Sequence, residues 1–217
     1  MSQRYRHLED LPGELPVFPL PQVMLLPRAR LPLNIFEPRY LAMVDAAMSG
    51  NRLIGMIQPA TLDHDAAPPQ LCRVGGAGRI IGYQETDDGR YLIALEGVCR
   101  FRVRKETTSG TPFRTVEADW SNFASDLWGP QGEPDIDRAP LLDALKAYLA
   151  RNGFSVDWTS VADAPIETLV NSLSADCPFT NAEKQALVEA QTLEDRCEVL
   201  TTLLTMERSG QNGGYVQ

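Results

Sequence analysis

Pro16, Pro19, Pro21, Pro27, Pro32 and Pro38 interrupt one apolar segment, LPVFPLPQVMLLPRARLPLNIFEPRY (residues 15–40). Proline fixes φ and has no N–H to donate, so a stretch punctuated this way is excluded from a helix interior and from a central strand. It predicts short edge-type strands and extended corners that return repeatedly to one core. Pro38 has a different role, because the first turn of a helix loses nothing from a missing N–H. Leu41, Val44, Ala47 and Met48 follow at helical spacing, and Gly50 ends the run.

Downstream the pattern is that of strands. Residues 52–57 form an apolar run ended by Pro59, and residues 60–70 have the composition of an exposed loop. Residues 74–84 resume strand character, broken by Gly75, Gly76, Gly78 and Gly82. Asp87-Asp88-Gly89 is a hairpin turn in which glycine supplies positive φ without a steric cost. The partner strand covers residues 90–95, Glu96-Gly97 is a second break, and residues 98–105 and 113–120 complete the set. In residues 98–105, Val98, Arg100, Arg102 and Arg104 share one face at period two, opposite Cys99, Phe101 and Val103. Antiparallel strands with glycine and proline corners imply a small, strongly twisted sheet or pseudo-barrel.

Residues 121–140 lose all periodicity and are assigned as a linker between a β domain (1–120) and a helical subdomain (141–217). Leu142, Leu145 and Leu149 stripe a helix that stops at Gly153. Pro165 opens a second, with Leu169, Val170 and Leu173 on its apolar side. Thr180 with Glu183 is a capping box for a third, and Thr192 with Asp195 a looser cap for a fourth. The fold class expected is α+β: a twisted β-barrel or sheet with one short helix, then a helical bundle.

A net charge of −9 argues against non-specific nucleic-acid or anionic-membrane binding, which needs clustered Lys and Arg. No run of about 18 apolar residues is present, so no membrane span is expected. The polar opening MSQRYRHLEDLPGEL has no apolar signal core, and a cytoplasmic location is the expectation. Cys72, Cys99, Cys177 and Cys197 lack metal-site spacing and read as buried free thiols. His64, between Asp63 and Asp65, is read as part of a solvated acidic loop, so no metal and no cofactor are expected. Gly76-x-Gly78 fails as a dinucleotide fingerprint, because Ile81 stands where the third glycine belongs and the segment continues as strand.

The segment LPVFPL, an apolar run ending at Pro27, and LPLNIFEPRYLAM together resemble the opening signature of the Lon protease N-terminal (substrate-binding) domain family. The matching residues include Leu15, Pro16, Phe18, Pro19, Pro27, Leu31, Pro32, Ile35, Phe36, Glu37, Arg39, Tyr40 and Met43. A second block, Asp88-Gly89-Arg90-Tyr91 with Gly97, Arg100 and Phe101, matches the family's DGxxxxxxxGxxRF pattern. The resemblance covers almost the whole chain, more loosely after Trp120. It implies a PUA-like barrel, a buttressing helical bundle, and the bacterial form of the domain that stands alone, without ATPase and peptidase.

The residues agree with that expectation. The sequence holds no GxxxxGK[ST], and its only lysines, Lys105, Lys146 and Lys184, lie outside any Ser–Lys peptidase context. No catalytic residue is assigned and the chain is not expected to be an enzyme. The expected function is recognition of unfolded or peptide-like protein segments, in an adaptor role with a protease or chaperone. RNA binding through the barrel and a hydrolase of unknown type are the alternatives. Candidate contact residues are Phe18, Met24, Leu26, Ile35, Phe36, Glu37, Arg39, Arg100 and Arg102. Each has a structural alternative: core packing for the apolar ones, a helix N-terminal role or an ion pair for Glu37 and Arg39, and a solvated strand face for the arginines.

Overall fold

The computed structural model describes residues 5–60, 69–108, 110–129 and 136–206. After a one-turn 3-10 helix (Leu8–Asp10) come β1 (Glu14–Pro19), β2 (Arg30–Ile35), α1 (Pro38–Ser49), β3 (Leu53–Ile57), β4 (Val74–Glu85), β5 (Tyr91–Thr107) and β6 (Arg114–Asp119). A 3-10 segment (Ser121–Leu127) leads to α2 (Ala139–Asn152), α3 (Trp158–Asp163), α4 (Ile166–Asp176), α5 (Asn181–Glu189) and α6 (Leu193–Thr205). The fold class is α+β.

The six strands lie in the order β2-β5-β4-β3-β1-β6, and β5 also pairs with β6. That second pairing depends on length. At 17 residues, β5 runs for roughly 55 Å. Its first half pairs with β2 and its second half with β6, while β4 lies along its other edge. The ring β4-β3-β1-β6-β5 therefore closes, and β2 stays outside it as an edge.

Two strand expectations need correction. β1 is an interior strand despite Pro16, flanked by β3 in parallel and β6 in antiparallel. Staggered pairing makes this possible: Pro16 lies where only β6 is in register, and pairing with β3 begins at Val17. Glu96-Gly97 is also no strand end. β5 continues through it, with a register shift against β4 at Ala77/Gly78 that absorbs the irregularity.

The connection from β1 to β2 explains the glycines. It crosses the sheet so closely that a Cβ on Gly76 would stand 1.7 Å from the Leu25 carbonyl oxygen, and one on Gly97 1.9 Å from that of Leu26. No side chain larger than hydrogen fits either position. The strap buries Met24, Leu25 and Leu26. Gln22 and Arg28, at φ 61° and 65°, turn its two ends in the left-handed region. The Gln22 N–H donates to Asn181 Oδ1 at 2.7 Å, and Arg28 pairs with Glu167 while donating to the Asp126 carbonyl at 2.7 Å. Both ends are thus tied to helices.

One continuous core runs from the barrel (Leu15, Phe101, Val116) into the helices (Leu145, Val170, Leu200). A smaller core lies where Tyr40, Met43, Val44 and Ala47 of α1 cover Ile35, Ile93 and Leu95. The stretch assigned as a linker contributes to the larger one: Phe123 is fully buried in the Ser121–Leu127 segment, and residues 130–135 lie outside the described residues. The helical pattern missed α3, which at six residues is too short to show periodicity. Both caps are present, and both are full capping boxes, with the Thr180 and Thr192 hydroxyls accepting from Glu183 and Asp195 N–H groups.

Candidate functional site

α1 covers only one face of the β2–β5–β4 sheet, and the opposite face is open. Asn34, Leu92 and Gln84 stand in one row across it, and Pro32, Ala94 and Gly82 in the next. Leu92 is 41 % exposed, and Phe36, one residue beyond β2, is 62 % exposed. The Arg90 guanidinium lies 5.9 Å from the centre of the Phe36 ring. Exposed Ile81 sits at the register shift of β4 beside Gly82, where one extra residue leaves the ladder.

The site has an edge as well as a face. Among the described residues β2 pairs with β5 alone. The Gly97 N–H donates to the Ala29 carbonyl at 2.9 Å, which sets the phase of the ladder. Arg30, Pro32 and Asn34 then fall at non-hydrogen-bonded positions and turn their main-chain groups to the free edge. Pro32 accordingly loses no ladder bond, and it blunts the edge by offering a carbonyl without an N–H.

On the α1-covered face, Tyr83 is in register with Ile93, and the Tyr83 and Tyr91 rings meet edge-on at 5.0 Å. Hydrogen bonds with Tyr83 and then with Asp45 push the Tyr91 phenol up to about 12, so the Tyr91 ring stays neutral at ordinary pH.

The sequence-predicted contact residues separate into three groups. Phe18, Met24, Leu26 and Ile35 are buried; the Phe18 ring packs on Tyr40 at 4.1 Å. As placed, they have no surface to offer a partner. Phe36, Glu37 and Arg39 are together at the surface. Glu37 makes no side-chain cap to α1 and pairs with Arg39 at 2.8 Å, while the Arg39 guanidinium stacks 4.5 Å from the Tyr40 ring.

Arg100 forms the third group and corrects the solvated-stripe expectation. It is 2 % exposed. Its Nε and Nη2 donate to the two Asp126 oxygens, each at 2.9 Å, and its Nη1 and Nη2 reach the Val188 and Gln191 carbonyls at 3.1 and 3.2 Å. It therefore fastens the barrel to the carbonyl end of α5. Phe123 stacks 4.2 Å from it. Arg102 is half-buried, and only Arg104 keeps an exposed position, near Glu117 and Asp119.

Sequence reasoning missed Leu92 and Ile81. Leu92 had a readable signal: Tyr91, Ile93 and Leu95 claim the inner phase of β5, so an aliphatic residue at position 92 points outward. Among the described residues no group of three or more His, Cys, Asp or Glu is placed to hold a metal ion, and no helix is long and apolar enough to cross a membrane. His64 lies outside the described residues.

The family described as the ATP-dependent protease La (LON) substrate-binding domain matches residues 14–206. The chain belongs to this Lon substrate-binding family. The Lon protease of Dictyoglomus thermophilum is 24 % identical over 211 residues, covering 92 % of this chain and 25 % of that protein. The chain thus spans about a quarter of the length of that Lon protease. Two solved structures have the same fold. A Lon N-terminal domain protein from Xanthomonas campestris superposes with a TM-score of 0.59 at 22 % identity, covering 87 % of this chain and 97 % of that one. The N-terminal domain of the Mycobacterium avium complex Lon protease gives 0.61 at 18 % identity, covering 88 % and 98 %. In this Lon-family chain the signature residues Phe18, Pro19, Ile35 and Tyr40 chiefly build the barrel and its α1 cover.

Proposed function

We propose that this Lon-family domain is a non-catalytic recognition module, and that it binds extended, unfolded protein segments on the open face and free edge of the β2–β5–β4 sheet. The observation that carries the reading is an exposed apolar pair, Phe36 and Leu92, beside an unpaired strand edge, in a chain of a substrate-binding family. An extended segment has unpaired main-chain groups and alternating side chains, and both find a counterpart here. The edge supplies N–H groups at Arg30 and Asn34 but not at Pro32. Side-chain burial therefore has to contribute much of the affinity, at roughly 1.5–3 kcal/mol for each large apolar group covered. Ordering a flexible ligand offsets part of that, so the expected dissociation constant is on the order of micromolar. In this reading the chain performs no reaction, and its partners are unfolded proteins and the protease or chaperone that acts on them.

The test is fluorescence anisotropy with a labelled, permanently unfolded carboxymethylated protein. Phe36→Ser with Leu92→Ser is expected to weaken binding at least about tenfold while leaving the unfolding midpoint near that of the parent, since both side chains are exposed. Unchanged affinity in the double variant would overturn the assignment of the face. No binding by the parent chain at millimolar concentration would overturn the reading itself.

A further inference from the structure

We infer that a second copy of this chain pairs with it through the outer edge of β4, in a self-complementary antiparallel register. The first half of β4 lies between β3 and β5, but pairing with β3 stops at Leu53 and Arg79. The stretch from Gly82 to Glu85 goes on along β5, and its other side has no strand among the described residues. The Thr86 N–H donates to the Arg90 carbonyl at 2.9 Å, which sets the phase of this ladder. Gly82, Gln84 and Thr86 therefore bond to β5, while Tyr83 and Glu85 turn both main-chain groups outward. Ile80, before the register shift, also faces outward, and there the Arg52 carbonyl takes its N–H at 2.9 Å.

This edge lacks the protection that Pro32 gives to β2. Residues 81–86 contain no proline and no lysine, and Ile81 and Tyr83 are 43 and 42 % exposed. Such an edge is a template for another strand. A second copy fits it on two counts. Setting Gln84 opposite the partner's Gln84 pairs Tyr83 with the partner's Glu85, and Glu85 with the partner's Tyr83. Every outward N–H and C=O of these residues is then satisfied in both copies. The same register carries Asp87 of each copy past Ile81 of the other, toward the Arg52 corner. Arg52 and Asp87 are both exposed, and neither has a partner among the described ion pairs. The two-fold symmetry forms that pair twice. The two β2–β5–β4 sheets join edge to edge, and both β2 edges and both Phe36–Leu92 faces stay free for extended segments. A contact this short falls below the roughly 1,200 Å² of standard stable interfaces, so the expected dimer is weak, with a dissociation constant on the order of 100 µM.

Sedimentation velocity of the full chain from about 5 to 500 µM tests the inference, with a reversible monomer–dimer shift expected across that range. Glu85→Pro removes an outward N–H without removing a bond to β5, and is expected to weaken the dimer at least about tenfold with the unfolding midpoint near that of the parent. Arg52→Glu sets two carboxylates together at each corner and is expected to weaken it about fivefold. Adding Asp87→Arg to Arg52→Glu is expected to restore it, a recovery that mere loss of stability would not produce. Phe36→Ser with Leu92→Ser is expected to leave the dimer intact while weakening the binding of unfolded protein, so the two readings fail separately. A chain that stays monomeric at 500 µM, a dimer that survives Glu85→Pro, or no recovery on charge exchange would overturn the inference.

Discussion

Arg100 sits at a position that strand alternation assigns to solvent, yet the fold closes over it. The reason lies outside its own strand: Asp126, from the 3-10 segment, and three carbonyls at the end of α5 converge on its guanidinium. A buried charge is tolerated only with such a complete set of partners, and removing one leaves the others desolvated and unpaired. Arg100→Ala is therefore expected to cost roughly 3–5 kcal/mol in urea unfolding. Arg104→Ala, removing an exposed side chain from the same strand, is expected to change stability by less than about 1 kcal/mol. Equal effects would refute the staple. Nothing local in the sequence separates Arg100 from Arg104, because the difference is made by residues 26 and about 90 positions away.

Among the elements, the strap between β1 and β2 illustrates what was legible and what was not. Its apolar residues and prolines announce an extended segment returning to the core, and the glycines of β4 and β5 announce irregular strands. Their relation is invisible locally: Gly76 and Gly97 are required because another stretch of backbone passes over them. Gly76→Ala is expected to cost about 3 kcal/mol or more in thermal or urea unfolding, since the obstacle is a carbonyl that cannot rotate away. Gly13→Ala, with nothing within 4 Å of the added carbon, is expected to stay within about 0.5 kcal/mol. A tolerated Gly76→Ala would mean that the strap does not cross there. Helix α1 and the capping boxes were readable because their determinants are local, within four residues of one another. Interior β1 was misread because a proline excludes a strand only from a ladder that needs its N–H, and stagger decides which ladder that is.

For the molecule as a whole, barrel and helices share one core and are joined by Arg28–Glu167, Arg100–Asp126 and Gln22–Asn181 contacts. The helices brace the barrel, and α1 seals one face of the β2–β5–β4 sheet, so the other face and the β2 edge remain as apolar strand surface. Phe36 was anticipated as a contact, but its buried neighbour Ile35 carries the same hydrophobic signal; only the register of β2 on β5 tells them apart. The central claim is that unfolded protein docks on this sheet, and hydrogen–deuterium exchange of the chain with and without saturating carboxymethylated protein tests it most directly. Slower exchange is expected in peptides covering residues 30–36 and 90–96, with residues 193–205 unchanged. Protection confined to the helices, or none in β2 at saturation, would contradict the account.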